Sequence, residues 1–347
     1  MSSVDPAGAA PGRPQPLAER GLLAGVDLGG TKIAAVISDG ERILARSRCP
    51  VPRHGEPERV SEAMIQLLDQ CCGDARVSRD RIEAVGVSAC GPFIGSRGDR
   101  KTVAPNLCQV VDERSGALNK WEAVPIEAPL AAQFGRVVLV NDAQAALVAE
   151  HRFGVLKESE HCAYLTWSTG IGVGLIVDGR LLSGKAGNSG HAGHSLVPST
   201  SPVVRCGCGN TGDVESLAGG AALARAWGGS TESLFEACEK GDSRALALVE
   251  TATEAVADLI YNLVVTLDLS CVAIGGGLFG ARCDMLLPML RRKVFDASRR
   301  PGMRGMLAGF SIVPVVNAAR TAEMGALSLV LDESVSLAWP PEQAFHV

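Results

Sequence analysis

Several things are scarce in this 347-residue chain, and each scarcity removes a class of protein. Charge of one sign is not in excess: 33 basic against 38 acidic side chains leave a formal net charge of -5, which argues against a nucleic-acid surface as the main business. Low-complexity composition is missing too, since 46% of the residues are hydrophobic and the 40 glycines follow no three-residue period, which excludes collagen and extended disorder. No apolar run is long enough to span a bilayer. The most apolar stretch, residues 255–269, carries Asp258, Asn262 and Asp268. A secretory signal is not seen at the amino terminus, where residues 1–20 are rich in Pro, Ala and Gly and read as a disordered tail. The 11 cysteines are an odd number with Cys71 and Cys72 adjacent, which reads as cytosolic thiols rather than a disulfide framework. A cytoplasmic protein without membrane or nucleic-acid partners is the expectation.

What is present is a repeated order of elements. Apolar strand-like runs at 22–28 and 33–38 flank Gly29-Gly30-Thr31, and 42–46 offers a third strand. A helix over 57–72 follows, with Val60, Met64, Leu67, Leu68 and Cys71 on one face. Then come a buried strand at 82–88, an irregular segment from 90 to 134, a strand at 137–140 and an Ala-rich helix at 143–152. The second half repeats this with strands at 162–167, 172–177 and 180–182, helices at 215–227 and 243–267, a strand at 272–274, a helix at 283–297, a strand at 310–313 and a last helix at 321–331. Two copies of three strands plus alternating helices predict two similar α/β lobes with a cleft between them. Ligands bind at the carboxyl ends of strands in such sheets, so the cleft is the expected site.

Two glycine-rich turns occupy equivalent places in the two copies. Asp27-Leu28-Gly29-Gly30-Thr31-Lys32 joins the first two strands, where backbone N–H groups can face an anion and Asp27 can reach a metal ion. Ser168-Thr169-Gly170-Ile171-Gly172-Val173-Gly174 answers it in the second copy. Each alone reads equally well as an ordinary hairpin turn; the pair in equivalent positions points to phosphate. Asn141-Asp142 follows a strand and opens a helix. An Asp there can cap the helix or project into the cleft and take a proton from an attacking hydroxyl.

The segments GVDLGGTKIAAV, VNDAQAA, STGIGVGLIVDGRLLSGKAGNSGHAGH, CGCGNTGDVES and AIGGGL, in this order from about residue 21 to 331, resemble the ROK family of sugar kinases and sugar-responsive repressors. The resemblance implies the duplicated actin-like ATPase (ribonuclease H-like) α/β fold. It implies a small lobe over 21–140 completed by a C-terminal helix at 320–332, and a large lobe over 141–319 with a zinc-type substrate loop at 190–216. It also implies a homodimer or homotetramer, and a reaction in which ATP and Mg²⁺ phosphorylate a hexose or amino-hexose hydroxyl, O6 of glucose, a glucosamine-type sugar or an N-acylhexosamine by expectation, with Asp142 as general base. Asp27, Gly29, Gly30, Thr31, Lys32, Thr169 and Gly170 would hold the phosphates and Mg²⁺, with Gly275, Gly276 and Gly277 near the adenosine. Asn106, Asn141, Asp142, His191, His194 and Glu215 would contact sugar.

The chain departs from the family pattern at three places. The family's zinc set is a His, a Cys-x-Cys and a third Cys, whereas His194, Cys206 and Cys208 here are followed by Asp213, leaving Asp213 or His191 to complete the shell of a Zn²⁺ ion. A Glu that contacts sugar in the family is His191. Imidazole offers one donor and one acceptor where a carboxylate offers two acceptors. Residues 108–120 are inserted after Asn106-Leu107 and before Trp121, beside the expected sugar pocket. These differences open the choice of sugar to amino or N-acyl hexoses, and leave a sugar-sensing regulator or a catalytically silent sugar-binding protein as alternatives. A regulator would carry a helix-turn-helix domain ahead of the Asp27 turn, where this sequence has the Pro/Gly-rich tail.

Overall fold

The computed structural model describes residues 21–111, 116, 118–198, 205–296, 298, 301–315 and 321–332. Residues 1–20, expected as a tail, therefore lie outside it, as do parts of 108–120 and of 190–216 and position 320.

The first sheet grows from a meander. Strands β1 (Leu22–Leu28), β2 (Lys32–Ser38) and β3 (Ile43–Pro50) are antiparallel, and helix α1 (Glu58–Ala75) then crosses over to β4 (Ile82–Ala89), which lies parallel to β1 with Asp27 beside Ser88. The face of α1 that carries Val60, Met64, Leu67, Leu68 and Cys71 is buried, as its helical spacing predicts. After β4 the chain does not stay irregular. It forms a small antiparallel sheet of β5 (Phe93–Ile94), β6 (Lys101–Thr102) and β7 (Val124–Pro125), then helix α2 (Glu127–Phe134). Strands of two residues leave too short a pattern to read from sequence. What holds this sheet is a side-chain pair, because buried Arg100 donates to both oxygens of Glu127 at 2.9 and 2.8 Å. Strand β8 (Arg136–Asn141) closes the first sheet in the order β3-β2-β1-β4-β8, and helix α3 (Asp142–Phe153) follows at once.

The second sheet repeats the plan. Strands β9 (Cys162–Trp167), β10 (Ile171–Val177) and β11 (Arg180–Leu181) form the meander. Helices α4 (Val214–Ala218), α5 (Gly220–Trp227), α6 (Thr231–Glu239) and α7 (Ser243–Leu267) follow, then β12 (Cys271–Gly275), α8 (Gly277–Ala281), α9 (Cys283–Val294) and β13 (Ser311–Pro314). The order β11-β10-β9-β12-β13 matches the first sheet position for position. The helix expected over 215–227 is interrupted at Gly219, and α6 occupies a stretch that the sequence pattern left unassigned. Helix α7 is capped by Asp242, which accepts from Ala245 N at 2.9 Å, and its apolar face anchors the larger core with Trp167 and Phe279. Helix α10 (Thr321–Ser328) returns to the first sheet, where Met324 and Leu327 pack with Val36 and Ala84. No helix among the described residues is long and apolar enough to cross a membrane.

Candidate active site

The carboxyl ends of β1 and β8 face the turn after β9, since Asp142 acts on Asp27 and Glu215, bonded to Ile171 N, acts on Asp142. Asp27 ends β1, and Ser88 Oγ on the adjacent strand donates to its Oδ1 at 2.6 Å. Burial pushes the Asp27 carboxyl up to about 7; the Ser88 bond opposes this, and the nearby Asp142 and Glu323 carboxylates add to it. Two further carboxylates close to this half-buried carboxyl favour a cation there. Arg53 was not singled out by sequence. Its guanidinium donates to Asn106 O at 2.5 Å and also reaches Gly30 O, tying the Asn106 loop to the first glycine turn.

The start of α3 divides two tasks between neighbours. Asn141 is the helix cap, with extended backbone and its side chain accepting from Ala143 N at 3.1 Å. Asp142 is thereby relieved of capping as its main role. It opens into the cleft, although Ala143 N also donates to its Oδ1 at 2.8 Å. Crowding by protein raises the Asp142 carboxyl, the hydrogen bonds from Ala143 and Asn141 pull it down, and the Glu215 carboxylate raises it further. Gln144, one turn on, is fully buried and donates to Ser189 O at 2.8 Å and to Leu182 O at 3.3 Å, so α3 also holds the segment that leads to His191.

His191 lies against Gly91 and Asn141. A Cβ on Gly91 would stand 2.8 Å from His191 Nε2 and 3.4 Å from Asn141 Nδ2, so the missing side chain makes room for the imidazole. His191 Nε2 is buried and has no hydrogen-bond partner. Burial first, and the neighbouring His194 second, hold the imidazole below its usual range, which keeps it neutral at pH 7. The two rings face each other with centroids 6.2 Å apart.

Ligand atoms of His194, Cys206, Cys208 and Asp213 lie within 4.8 Å of one another; His191 stands outside this group. Asp213 serves two neighbours. Its Oδ1 caps α4 by accepting from Ser216 N at 2.7 Å, and its Oδ2 lies 3.2 Å from His194 Nδ1 and accepts from Cys208 Sγ at 3.7 Å. Despite burial, the bonds from Ser216 and His194 hold this carboxyl below its usual range. Cys206 Sγ donates to Glu215 Oε1 at 3.5 Å, and Glu215 Oε2 accepts from Ile171 N at 2.9 Å. Glu215 thus joins the zinc-type loop to the second glycine turn. One nitrogen, two sulfurs and one oxygen form a donor set that zinc accepts.

A cavity of about 450 Å³ brings Ser168 and Thr169 of that turn together with Gly277 and Leu278 after β12, Gly220 and Ala221 at the start of α5, and Ser230 and Arg282. Gly276 reaches this corner at φ +96°, and a Cβ there would stand 2.4 Å from Trp167 O, so no side chain fits the close approach of β12 to β9. Thr169 of the second turn and Gly277 after β12, 108 positions apart, line one depression.

A family model described as the ROK family matches residues 23–333. The chain belongs to the ROK family. Among its relatives, the N-acetylmannosamine kinase of Haemophilus influenzae strain PittGG is 32% identical over 277 residues, covering 78% of this chain and 85% of the relative. Among solved structures, the ROK hexokinase of Thermus thermophilus superposes with a TM-score of 0.66 at 33% identity, covering 88% of this chain and 97% of that one. A ROK family glucokinase of Streptomyces griseus, solved in complex with glucose and AMPPNP, gives 0.67 at 25% identity, covering 89% and 99%. The duplicated, two-lobed actin-like ATPase fold of this ROK protein is the one its neighbours share.

Proposed function

We propose that this ROK-family carbohydrate kinase transfers the γ-phosphoryl group of ATP to the 6-hydroxyl of an N-acyl hexosamine, with N-acetylmannosamine the leading substrate. The observation that carries the reading is the cleft itself. Asp27 ends β1 of the first sheet and Asp142 follows its strand β8, and Thr169 and Gly277 share one cavity beside the second sheet. ATP lying across them has its phosphates between the two glycine turns. Asp142 accepts the hydroxyl proton as the oxygen attacks phosphorus, and its raised pKa makes it a stronger base than an ordinary carboxylate. Asp27 would hold Mg²⁺, which neutralises phosphate charge. Asn141, Asn106, His191, His194 and Glu215 would orient the sugar.

His191 favours an N-acyl sugar over an amino sugar. A neutral, desolvated imidazole neither attracts an ammonium group nor leaves a carboxylate unpaired, and it can donate to an amide carbonyl or accept from a hydroxyl. The names of the curated relatives run the same way. His194, Cys206, Cys208 and Asp213 would hold Zn²⁺, which would brace the loop that carries His191 and Glu215. An ATP-coupled assay over N-acetylmannosamine, N-acetylglucosamine, glucosamine and glucose tests the reading. Highest kcat/KM on an N-acyl sugar is expected; glucose as the best substrate would overturn the substrate assignment, and sugar binding without turnover of any of them would overturn the catalytic one.

A further inference from the structure

On the far side of the sheets from the catalytic end lies a larger cavity, of about 1310 Å³, whose charge runs against that of the whole protein. Six Arg or Lys side chains line it, Arg97, Arg100, Arg136, Arg152, Lys157 and Lys185, against two carboxylates, Glu83 and Asp332, in a chain whose net charge is -5. Two of the six are occupied. Arg100 pairs with Glu127, and Arg152 donates to the carbonyls of Ser328 and Leu331 at 3.0 and 2.9 Å. Among the described residues the side chains of Arg97, Arg136, Lys157 and Lys185 make no hydrogen bond or ion pair, so four cationic side chains face a groove that holds only two carboxylates. Such an arrangement costs self-repulsion unless an anion is bound.

The groove shares no lining residue with the cavity between the glycine turns. Leu23, in its wall, is four residues from Asp27 along β1, roughly 13 Å at the rise of a strand. Its walls come from both sheets: Arg136 opens β8, at the edge of the first, while Lys185 follows β11, at the edge of the second. Helix α3 runs from one place to the other, with Asp142 at its start and Arg152 in the groove, about 15 Å away at the rise of a helix.

We propose that this groove is an allosteric site for a small molecule carrying two or more phosphate groups. Several phosphates are needed to engage cations on opposite walls, and a ligand that bridges the walls sets the relation of the two sheets and the position of α3. Free tripolyphosphate and a hexose bisphosphate share this chemistry and serve as the two probes.

The test is calorimetric titration of the full chain with each probe, the catalytic cleft being first saturated with sugar and a non-hydrolysable ATP analogue. One equivalent of at least one probe is expected to bind, more weakly as salt is raised. The Arg136→Gln/Lys185→Gln double variant should weaken that binding about tenfold or more, with its melting temperature and its kcat without probe unchanged. The probe that binds more tightly identifies a phosphate chain or a phosphorylated sugar as the source. Bound probe should also change KM for the sugar in the wild-type protein and not in the double variant. Failure of both probes to bind, equal affinity in the double variant, or binding that leaves KM and kcat unaltered would each overturn the proposal.

Discussion

At the scale of single residues, the cap of α3 falls to Asn141 rather than to Asp142. Because Asn141 caps the helix, Asp142→Asn should leave α3 intact while removing the carboxylate that the proposed mechanism uses as proton acceptor. Turnover should fall roughly 10²- to 10⁴-fold while calorimetry shows sugar binding within a few-fold of wild type; near-normal turnover would remove Asp142 from the mechanism. Asp27 sets a pH dependence. Its carboxyl, pushed up to about 7, is protonated below that value and must lose the proton to hold a cation, so the Mg²⁺ concentration for half-maximal rate should rise about tenfold for each pH unit below 7. The stability effect has the opposite sense. The folded state holds this proton up to about pH 7 and the unfolded chain only to about the ordinary carboxylate value of 3.8, so the metal-free protein loses stability as pH rises between them. Thermal melts of EDTA-treated protein across that window check it. On the proposed zinc site, metal analysis after dialysis should find more zinc retained by Asp213→Cys than by wild type, because sulfur replaces oxygen among the ligand atoms. Asp213→Ala removes both the α4 cap and the carboxylate beside His194 and Cys208.

At the scale of elements, legibility followed length and periodicity. The apolar runs of β1, β4 and β9 and the one-sided stripe of α1 are plain in the sequence, and so is the pair of glycine turns, because each is a continuous local pattern. The sheet of β5, β6 and β7 is not: its strands are two residues long, and the ion pair between Arg100 and Glu127 that supports it joins positions 27 apart. The same limit hid Arg53, Ser88 and Gln144 from the site. Each acts through a partner distant in sequence, and none sits in a motif whose spacing reveals that partner. His191 was legible as a departure, but only the fold shows that Gly91 makes its place. Helix α7 offers a control for the chemistry of the cleft. Asp242→Ala removes its cap and should cost about 1 kcal/mol of stability by denaturant titration, with KM for the sugar unaltered, because the cap lies outside the site.

At the scale of the whole molecule, the two sheets are joined by particular polar contacts as well as by chain connections. Asn188, just before His191, donates to Phe93 O at 2.8 Å and accepts from Phe93 N at 2.7 Å, a two-bond clasp between the small sheet after β4 and the loop after β11. Asn188→Ala should raise KM for the sugar several-fold with little change in melting temperature, since the bonds tie two segments that frame the cleft rather than either core.

Helix α10 has a consequence for how the protein is made. It covers one face of the first sheet through Met324 and Leu327, yet it stands downstream of the entire second sheet in the chain. During synthesis β1, β2 and β4 emerge early and wait, apolar face uncovered, while more than two hundred further residues are added between β4 and α10, a delay of roughly ten to fifty seconds at ordinary elongation rates. Over that interval the nascent first sheet depends on shielding from outside the chain. A premature stop after β13 and before position 321 would yield a ribosome product with both sheets present and one of them permanently adhesive.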